Sequence, residues 1–124
     1  MPEEIYQRGR AVKGELFGVG KESAVPPGHL AEDLLRLTDE WVFGQIYTRA
    51  GLDLKTRSML TVAALTVLGK DDYLRRHLQG ALHVGVTREE IKEILMQMAF
   101  YGGIPCALRG LRIAHEEFTA ADRA

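Results

Sequence analysis

The sequence predicts an all-α fold, a compact bundle of about six helices. Apolar residues recur at spacings of three and four along the whole chain, and the strict alternation typical of strands is absent. Glycines, prolines and capping residues divide this pattern into segments of helical length. A chain of 124 residues suits one core, so we expect residues 1–124 to form a single domain.

The composition limits which binding partners and which cellular compartment we expect. The net charge is −1, with 46% hydrophobic and 27% charged residues, so we expect no nucleic-acid partner. The longest apolar stretch, residues 59–68, contains Thr61 and Thr66 and is too short to cross a bilayer, so we expect no membrane association. The N-terminus is charged from its third residue, so we expect no apolar leader segment. The single cysteine, Cys106, fits a cytoplasmic location, which is reducing.

Two helices are predicted in the first part of the chain. The first covers about residues 3–16, and a loop rich in glycine and proline follows at 17–28. The second helix covers about residues 29–47. Helical spacing places five residues on one side of this second helix. They are Leu34, Leu37, Thr38, Trp41 and Gln45.

The third and fourth helices carry a clear core pattern. Asp53 is a suitable N-cap for the third helix, which is apolar nearly all round and ends at Gly69. We therefore expect the third helix to be the central buried one. Asp71 can cap the fourth helix. The core stripe of that helix recurs at spacing four and consists of Leu74, Leu78 and Leu82.

The fifth helix has the sharpest start signal in the chain. Gly85 closes the preceding helix, and Thr87 and Glu90 have the spacing of a capping box. Val86 and Ile91 fit the hydrophobic staple that accompanies such a box. The inward residues of this helix are expected to be Ile91, Ile94, Leu95 and Met98.

The sixth helix is predicted to follow Gly102 and Gly103, with Pro105 in its first turn. Its expected inward stripe is Leu108, Leu111, His115 and Phe118. A ridge of small residues that permits close helix approach consists of Ala107, Gly110 and Ala114. So many apolar faces on a small chain favour burial between subunits, so we expect a homo-oligomer.

His77 is the leading candidate for chemistry. It borders the leucine stripe of the fourth helix, and a histidine pKa near neutrality suits proton transfer in a partly buried site. The structural alternative is a core-edge histidine bonded to a backbone carbonyl. From the residues alone that alternative is the commoner outcome, because most such histidines are structural.

A metal site is not expected. His83 follows His77 by six residues, whereas a metal pair on one helix needs a spacing of three or four. No HExxH pattern is present. The sequence also lacks a phosphate-binding glycine loop and a nucleophile elbow.

Several arginines and aromatic residues are candidates for substrate binding. The arginines could hold a carboxylate through two hydrogen bonds, although a solvated surface role is the commoner one for each; they are Arg49, Arg57, Arg75, Arg76 and Arg109. Arg57 is the strongest candidate for binding a carboxylate, because it lies near the first turn of the third helix, which we expect to be buried. Trp41, Tyr47, Phe100 and Tyr101 could line an apolar pocket, or form core or interface. Cys106 is favoured as a small buried residue.

Four segments, in order and at matching spacing, resemble the carboxymuconolactone decarboxylase family. They are TRAGLD-x-x-TRS (48–58), R-x-H-L-x-x-A (75–81), GVTREEIKE (85–93) and YGGIP (101–105). The resemblance covers roughly residues 33–118. It implies an all-α fold of the alkylhydroperoxidase-D-like type, in which a helical hairpin is shared across subunits. It also implies a ring-like homo-oligomer, commonly a trimer or hexamer.

The resemblance leaves two chemistries to distinguish. The peroxidase branch looks like E…C-x-x-C-x-x-x-H, and only its histidine is present here, as His77. The two cysteine positions fall on Lys70 and Tyr73, and the glutamate position falls on Ser58. A thiol peroxidase needs a thiolate and a resolving thiol, so the decarboxylase branch fits better.

The decarboxylase branch implies a reaction without a metal or organic cofactor. The expected substrate is γ-carboxymuconolactone, or a related lactone or keto acid, in protocatechuate catabolism through the β-ketoadipate pathway. His77 is the expected general acid, and Arg49 and Arg57 the expected carboxylate binders. The predicted pocket wall consists of Trp41, Gln45 and Tyr101. The alternatives are a peroxidase-like family member and a non-catalytic oligomeric binding protein.

Three departures from the family pattern concern the pocket more than the fold. GQIY stands at 44–47 where GEIW is expected, so Gln45 replaces a carboxylate. GALHVGVT stands where AAxNNGVT is expected, so His83 and Val84 replace two asparagines. Cys106 follows Pro105 where an asparagine is expected. We include His83 among the predicted substrate-binding residues, as a determinant of specificity.

Overall fold

The computed structural model describes residues 2–124, with side chains from residue 3 onward. Helix α1 spans Pro2–Phe17 and α2 spans Glu32–Thr38, which continues without a break into a π-helix at Asp39–Ile46, here called the π segment. Helices α3 to α6 span Leu54–Leu68, Asp71–His83, Arg88–Gly102 and Ile104–Arg123. No strand occurs in the described residues, and the all-α prediction is confirmed.

The chain divides into two compact units. The first unit ends at Leu54, and the second unit spans Lys55–Ala124. The single domain expected over residues 1–124 stays a prediction. No helix within residues 2–124 has the length and apolar character needed to cross a membrane.

The first unit is organised by close packing of α1 against the π segment. A Cβ atom at Gly9 would overlap the carbonyl oxygen of Asp39, and one at Gly44 would lie 2.5 Å from the carbonyl oxygen of Ile5. Glycine is therefore required at both positions for the two backbones to touch. Phe17 packs edge-on against Phe43, with ring centroids 6.4 Å apart.

The π segment corrects the predicted continuous α-helix over residues 29–47. The amide of Tyr47 donates to the carbonyl of Val42 at 2.8 Å, which is the five-residue hydrogen bond of a π-helix. Of the residues that spacing places on one side of this helix, Leu34 is 69% exposed and Trp41 is 61% exposed in the chain by itself. The buried residues of the segment are instead Asp39, Phe43 and Gly44. Apolar spacing identifies a face, but it does not say whether anything covers that face.

The second unit has an apolar core, and its members come from α3, α4, α5, α6 and the α4–α5 connection. They are Val62, Leu74, Leu78, Ala81, Val86, Ile91, Leu95, Ile113 and Ala114. The leucine stripe of α4 is confirmed, since Leu74 and Leu78 are buried and Leu82 packs against them. In α5, Ile91 and Leu95 are buried as expected, while Ile94 packs against the core.

The predicted capping box is confirmed. The amide of Glu90 donates to Oγ1 of Thr87 at 3.0 Å, and the amide of Thr87 donates to Oε1 of Glu90 at 2.9 Å. Both residues of the predicted staple, Val86 and Ile91, are buried. Gly69 and Gly85 have φ of 69° and 93°, the left-handed geometry expected where α3 and α4 end.

Helix α3 is not buried all round in the chain by itself. Its buried residues are Ser58, Val62 and Thr66, which lie four apart on one face. Leu60 and Leu68 are exposed. An apolar composition predicted burial, but only the face that meets the core is covered.

Helix α6 turns only part of the predicted stripe inward, since Leu111 and Phe118 pack against the core. The small ridge is buried, together with Ile113, and comprises Ala107, Gly110 and Ala114. Leu108 and His115 are exposed. A Cβ atom at Gly110 would lie 2.9 Å from Cγ2 of Thr66, so small residues are needed where α6 approaches α3. Close helix contact outweighed side-chain size in choosing the inward face.

The predicted cap of α4 is also wrong. Lys70 is the N-cap residue and makes no side-chain capping bond, while Asp71 is the first helical residue. The carboxylate of Asp71 instead accepts from Nε of Arg109 on α6 at 2.8 Å. The carboxylate that the local sequence predicted to be a helix cap forms an ion pair with a distant residue instead.

Candidate functional site

His77 lies on α4 between the two buried leucines of the core stripe, and it is half-buried. Its ring nitrogen Nδ1 is buried. Burial, together with the smaller effect of the nearby positive charge of Arg76, lowers the pKa of His77 to about 4. The imidazole is therefore neutral at pH 7.

A neutral imidazole has a definite chemical capacity. One ring nitrogen can donate a hydrogen bond and the other can accept one. In this state His77 can act as a proton acceptor or as an N–H donor to a developing negative charge. It becomes a general acid only when a further group supplies negative charge that restores the imidazolium form. The predicted role as a general acid stays a prediction.

Arg57 and Ser58 lie next to each other in the first turns of α3. Arg57 is half-buried, and its carbonyl accepts from the hydroxyl of Thr61 at 3.0 Å. Ser58 is fully buried, and its Oγ has no hydrogen-bond partner among the described residues. A buried hydroxyl without a partner is uncommon and suits contact with a bound water or ligand. Sequence reasoning marked Ser58 only as the position of the missing glutamate.

His83 and Tyr101 lie at the ends of their helices. His83 is the last residue of α4 and is exposed. Tyr101 is in the last turn of α5, with 78% of its side chain exposed in the chain by itself. Both stay predictions as substrate-binding residues.

Three predicted residues belong to the first unit. Trp41 and Gln45 lie on the π segment, where Trp41 is exposed and Gln45 half-buried, and Arg49 lies just beyond it and is exposed. The amide of Arg49 donates to the carbonyl of Ile46 at 3.1 Å. The other four predicted residues belong to the second unit: Arg57, His77, His83 and Tyr101.

Two of the candidate arginines are already paired with carboxylates. Arg75 donates to Glu116 at 2.6 Å and to Glu117 at 3.3 Å, and these bonds raise its pKa. Arg109 is paired with Asp71, which likewise raises its pKa. Both arginines therefore help to anchor α6. Neither is one of the two arginines, Arg49 and Arg57, that we expect to bind a substrate carboxylate.

A buried ion pair in the first unit was missed by sequence reasoning. Nζ of Lys13 on α1 lies 2.7 Å from Oδ1 of Asp39, and their side chains are only 1% and 3% exposed. Arg10 also approaches the same carboxylate, at 3.5 Å. No local pattern could have found the pair, because its members are 26 residues apart. Their polarity predicted solvent exposure for each.

Metal-ligating groups and the cysteine complete the chemical inventory. Within residues 2–124 no group of three or more His, Cys, Asp or Glu side chains is arranged to hold a metal ion. The thiol of Cys106 is half-buried and donates to the carbonyl of Gly103 at 3.1 Å.

A cleft of about 270 Å³ opens in the second unit between α5 and α6. Apolar side chains including Ile91 and Phe118 line it, and Arg88 and His115 also border it. Arg88 is held by Asp122 at 2.6 Å and lies over the ring of Phe118. None of the predicted site residues lines this cleft.

Comparison with known proteins identifies the family. The sequence model of the carboxymuconolactone decarboxylase family matches residues 32–116. The chain belongs to that family. The matched region of this family member contains all seven predicted site residues and Asp39, while Lys13 lies outside it.

Three relatives illustrate the range of the family. The chain is 31% identical over 118 residues to 4-carboxymuconolactone decarboxylase of Acinetobacter baylyi, covering 94% of this chain and 88% of the relative. It is 34% identical over 82 residues to nitrosuccinic acid decarboxylase of Metarhizium robertsii, covering 64% and 56%. It is 40% identical over 85 residues to an uncharacterized 15.0 kDa protein of Paracoccus denitrificans, covering 67% and 63%.

Proposed function

We propose that this family member is a cofactor-independent decarboxylase of γ-carboxymuconolactone or a related lactone or keto acid. The observation that carries the proposal is the 31% identity to 4-carboxymuconolactone decarboxylase over 94% of the chain. The relative named as a nitrosuccinic acid decarboxylase supports a decarboxylase-type activity more broadly. The proposed setting is cytoplasmic aromatic-acid catabolism, in the protocatechuate branch of the β-ketoadipate pathway.

The substrates named for these two relatives share a chemical requirement. When CO2 leaves, the electron pair of the broken carbon–carbon bond must move into an acceptor. In the unsaturated lactone that acceptor is the conjugated carbonyl, and in nitrosuccinic acid it is the nitro group. Both molecules also carry a second carboxylate, by which an enzyme can hold them. We therefore propose that the substrate of this protein is a dicarboxylate that carries its own electron-accepting group.

His77 is proposed to act on the reacting atoms. In its neutral form the imidazole can donate a hydrogen bond to the enolate-like oxygen that develops as CO2 leaves. An anionic substrate bound beside it raises the pKa of His77, because a nearby negative charge favours the imidazolium. The bound complex thus generates the general acid that protonates carbon.

The remaining predicted residues are proposed to bind the substrate. A guanidinium can hold a carboxylate through two parallel hydrogen bonds, a role assigned to Arg57 and Arg49. Gln45 supplies a neutral amide where the family pattern has a carboxylate, so it can donate to an anionic substrate. The aromatic side chains of Trp41 and Tyr101 and the imidazole of His83 complete the proposed set.

A homo-oligomer, a trimer or a hexamer, is part of the proposal. Large apolar side chains that are exposed in the chain by itself support it. They include Leu30, Leu34, Trp41, Leu60, Phe100, Tyr101 and Leu108. Light scattering at micromolar concentration should give a mass several times 13.8 kDa. A monomeric mass would contradict this part of the proposal.

The central experiment measures turnover. Purified protein is mixed with γ-carboxymuconolactone, and in a second arm with nitrosuccinate, while CO2 release and ultraviolet absorbance are followed. His77→Gln should lower kcat by about 100-fold or more, since a general acid–base contributes 10²–10⁴-fold. Its far-ultraviolet circular dichroism and melting temperature should stay near those of the parent. If the parent releases no CO2 above the buffer rate in either arm, the proposed function is wrong.

Cys106→Ser is the matched control. It should retain decarboxylation, because the thiol has no role in the proposed chemistry. The same variant tests the peroxidase alternative, since a peroxide-dependent activity that it abolished would move the chemistry to the thiol. A folded His77→Gln variant with parental turnover would remove His77 from the reaction.

A further inference from the structure

The buried pair of Lys13 and Asp39 lies where α1 packs on the π segment. Nζ of Lys13 is 2.7 Å from Oδ1 of Asp39, 3.3 Å from the carbonyl oxygen of Ser23 and 5.5 Å from the ring centroid of Phe43. Both side chains are almost completely removed from solvent. Charges at such depth are tolerated only when they are paired, so each group constrains where the other can lie.

A second contact holds the same two elements together one turn further on. Gly44 meets α1 so closely that a Cβ atom would lie 2.5 Å from the carbonyl oxygen of Ile5. Asp39 and Gly44 are five residues apart, and both face α1. In an α-helix residues five apart point in clearly different directions, whereas a π-helix brings them much closer to the same face. The two contacts to α1 therefore require the π register.

The π register decides where the following side chains point. A π turn holds about one more residue than an α turn, so side chains inside the segment point in other directions than they would in an α-helix. Each extra residue also rotates what lies beyond the segment by about 100°, the angle that one α-helical residue occupies. Trp41 and Gln45 lie within the π segment, and Arg49 follows it. These are the three first-unit residues that we assign to substrate binding.

We propose that Lys13 and Asp39 are positioning residues, whose buried ion pair holds the π register that directs Trp41, Gln45 and Arg49 toward the substrate. The proposal rests on the proposed function. Neither residue touches the substrate. Lys13 lies on α1, outside residues 32–116, which match the family model. The ion pair therefore joins a residue outside the matched region to one inside it.

The experiment removes the pair without leaving a buried charge. Lys13→Met and Asp39→Leu are combined in one double variant, and Lys13→Gln combined with Asp39→Asn is a second, neutral polar variant for use if circular dichroism shows that the first does not fold. Glu3→Gln is the matched control, because it breaks an exposed ion pair between α1 and α2, to Arg36 at 2.7 Å. Trp41 is the only tryptophan in the chain, so its fluorescence reports on the π segment directly.

The proposal predicts a change in two readouts. The emission maximum of Trp41 and its quenching by acrylamide should change in the double variant and stay parental in Glu3→Gln. With γ-carboxymuconolactone, kcat/KM should fall by about 100-fold, the scale of a misplaced binding group. The loss should appear more in KM than in kcat, since the affected residues bind the substrate and do not react.

Three results would overturn it, and they are distinguishable. Parental Trp41 fluorescence in the folded variant would show that the pair does not hold the register. Altered fluorescence with parental KM and kcat would show that the register does not serve the substrate. A parent protein without turnover would overturn the proposed function, and the positioning role with it.

Discussion

Both units bury apolar side chains, but the first unit also buries a charged pair, Lys13 and Asp39. Around Lys13 and Asp39 the backbones of α1 and the π segment touch through glycines. Around Leu74 and Leu78 the contacts are between apolar side chains of several helices. An apolar core loses stability gradually as atoms are removed, whereas a buried ion pair fails when one partner is lost, because the other charge remains. The two units should therefore respond differently to single and double substitutions.

The largest expected effect tests the ion pair of the first unit. Lys13→Met alone should cost about 3–5 kcal/mol of unfolding free energy, because it leaves the carboxylate of Asp39 buried without its lysine. Adding Asp39→Leu should recover much of that loss, since no charge is then buried. Urea denaturation of the parent, both single variants and the double variant measures the coupling. Additive losses would mean that the two side chains do not stabilise each other.

The apolar core of the second unit provides the contrast. Leu78→Ala should cost about 2–5 kcal/mol, from lost apolar burial and the cavity left behind. Val19→Ala is the matched control, since Val19 is 92% exposed and is not among the side chains assigned to the oligomer, and its cost should stay below about 0.5 kcal/mol. Both are measured by urea denaturation at one protein concentration. A loss for Leu78→Ala as small as that of the control would contradict the assigned core.

The third effect concerns His77, a titratable group at the edge of that core. His77 has a pKa near 4 in the folded chain, below its ordinary value of 6.5. As the pH falls from above 6.5 toward 4, His77 becomes protonated in the unfolded chain but stays neutral in the folded chain. The folded state therefore loses stability relative to the unfolded state. The loss amounts to at most about 3 kcal/mol when the pH has fallen below both values.

Urea midpoints at pH 7.5 and pH 5.0 measure this effect. The parent should lose more stability between the two values than His77→Gln, which has no imidazole to titrate at that position. His83→Gln is the control, because His83 is exposed, and it should keep the parental pH dependence. Equal losses in the parent and His77→Gln would show that burial does not depress the pKa of His77.

Local signals in the sequence predicted several of the helix ends. The capping box of Thr87 and Glu90, and the glycines that close α3 and α4, involve groups only a few residues apart. Their geometry therefore depends little on the rest of the fold. The leucine stripe of α4 was also found, because its spacing leaves only one apolar face.

Elements with more than one possible inward face were predicted less well. Helix α6 carries a stripe of large residues and a ridge of small ones; the close approach of Thr66 at Gly110 buries the ridge, while only Leu111 and Phe118 of the stripe pack against the core. Asp71 was available both as a cap and as a partner for Arg109, and the ion pair formed. In each case the deciding contact came from a distant part of the chain.

The sequence by itself determined the all-α class, several helix ends and the family, because these depend on hydrogen bonds and motifs that span a few residues. Tertiary structure alone decided the π register, since it requires Asp39 and Gly44 to meet α1. It also joined Lys13 to Asp39 across 26 residues. The depressed pKa of His77 has the same origin, because desolvation depends on the atoms that surround a group in space.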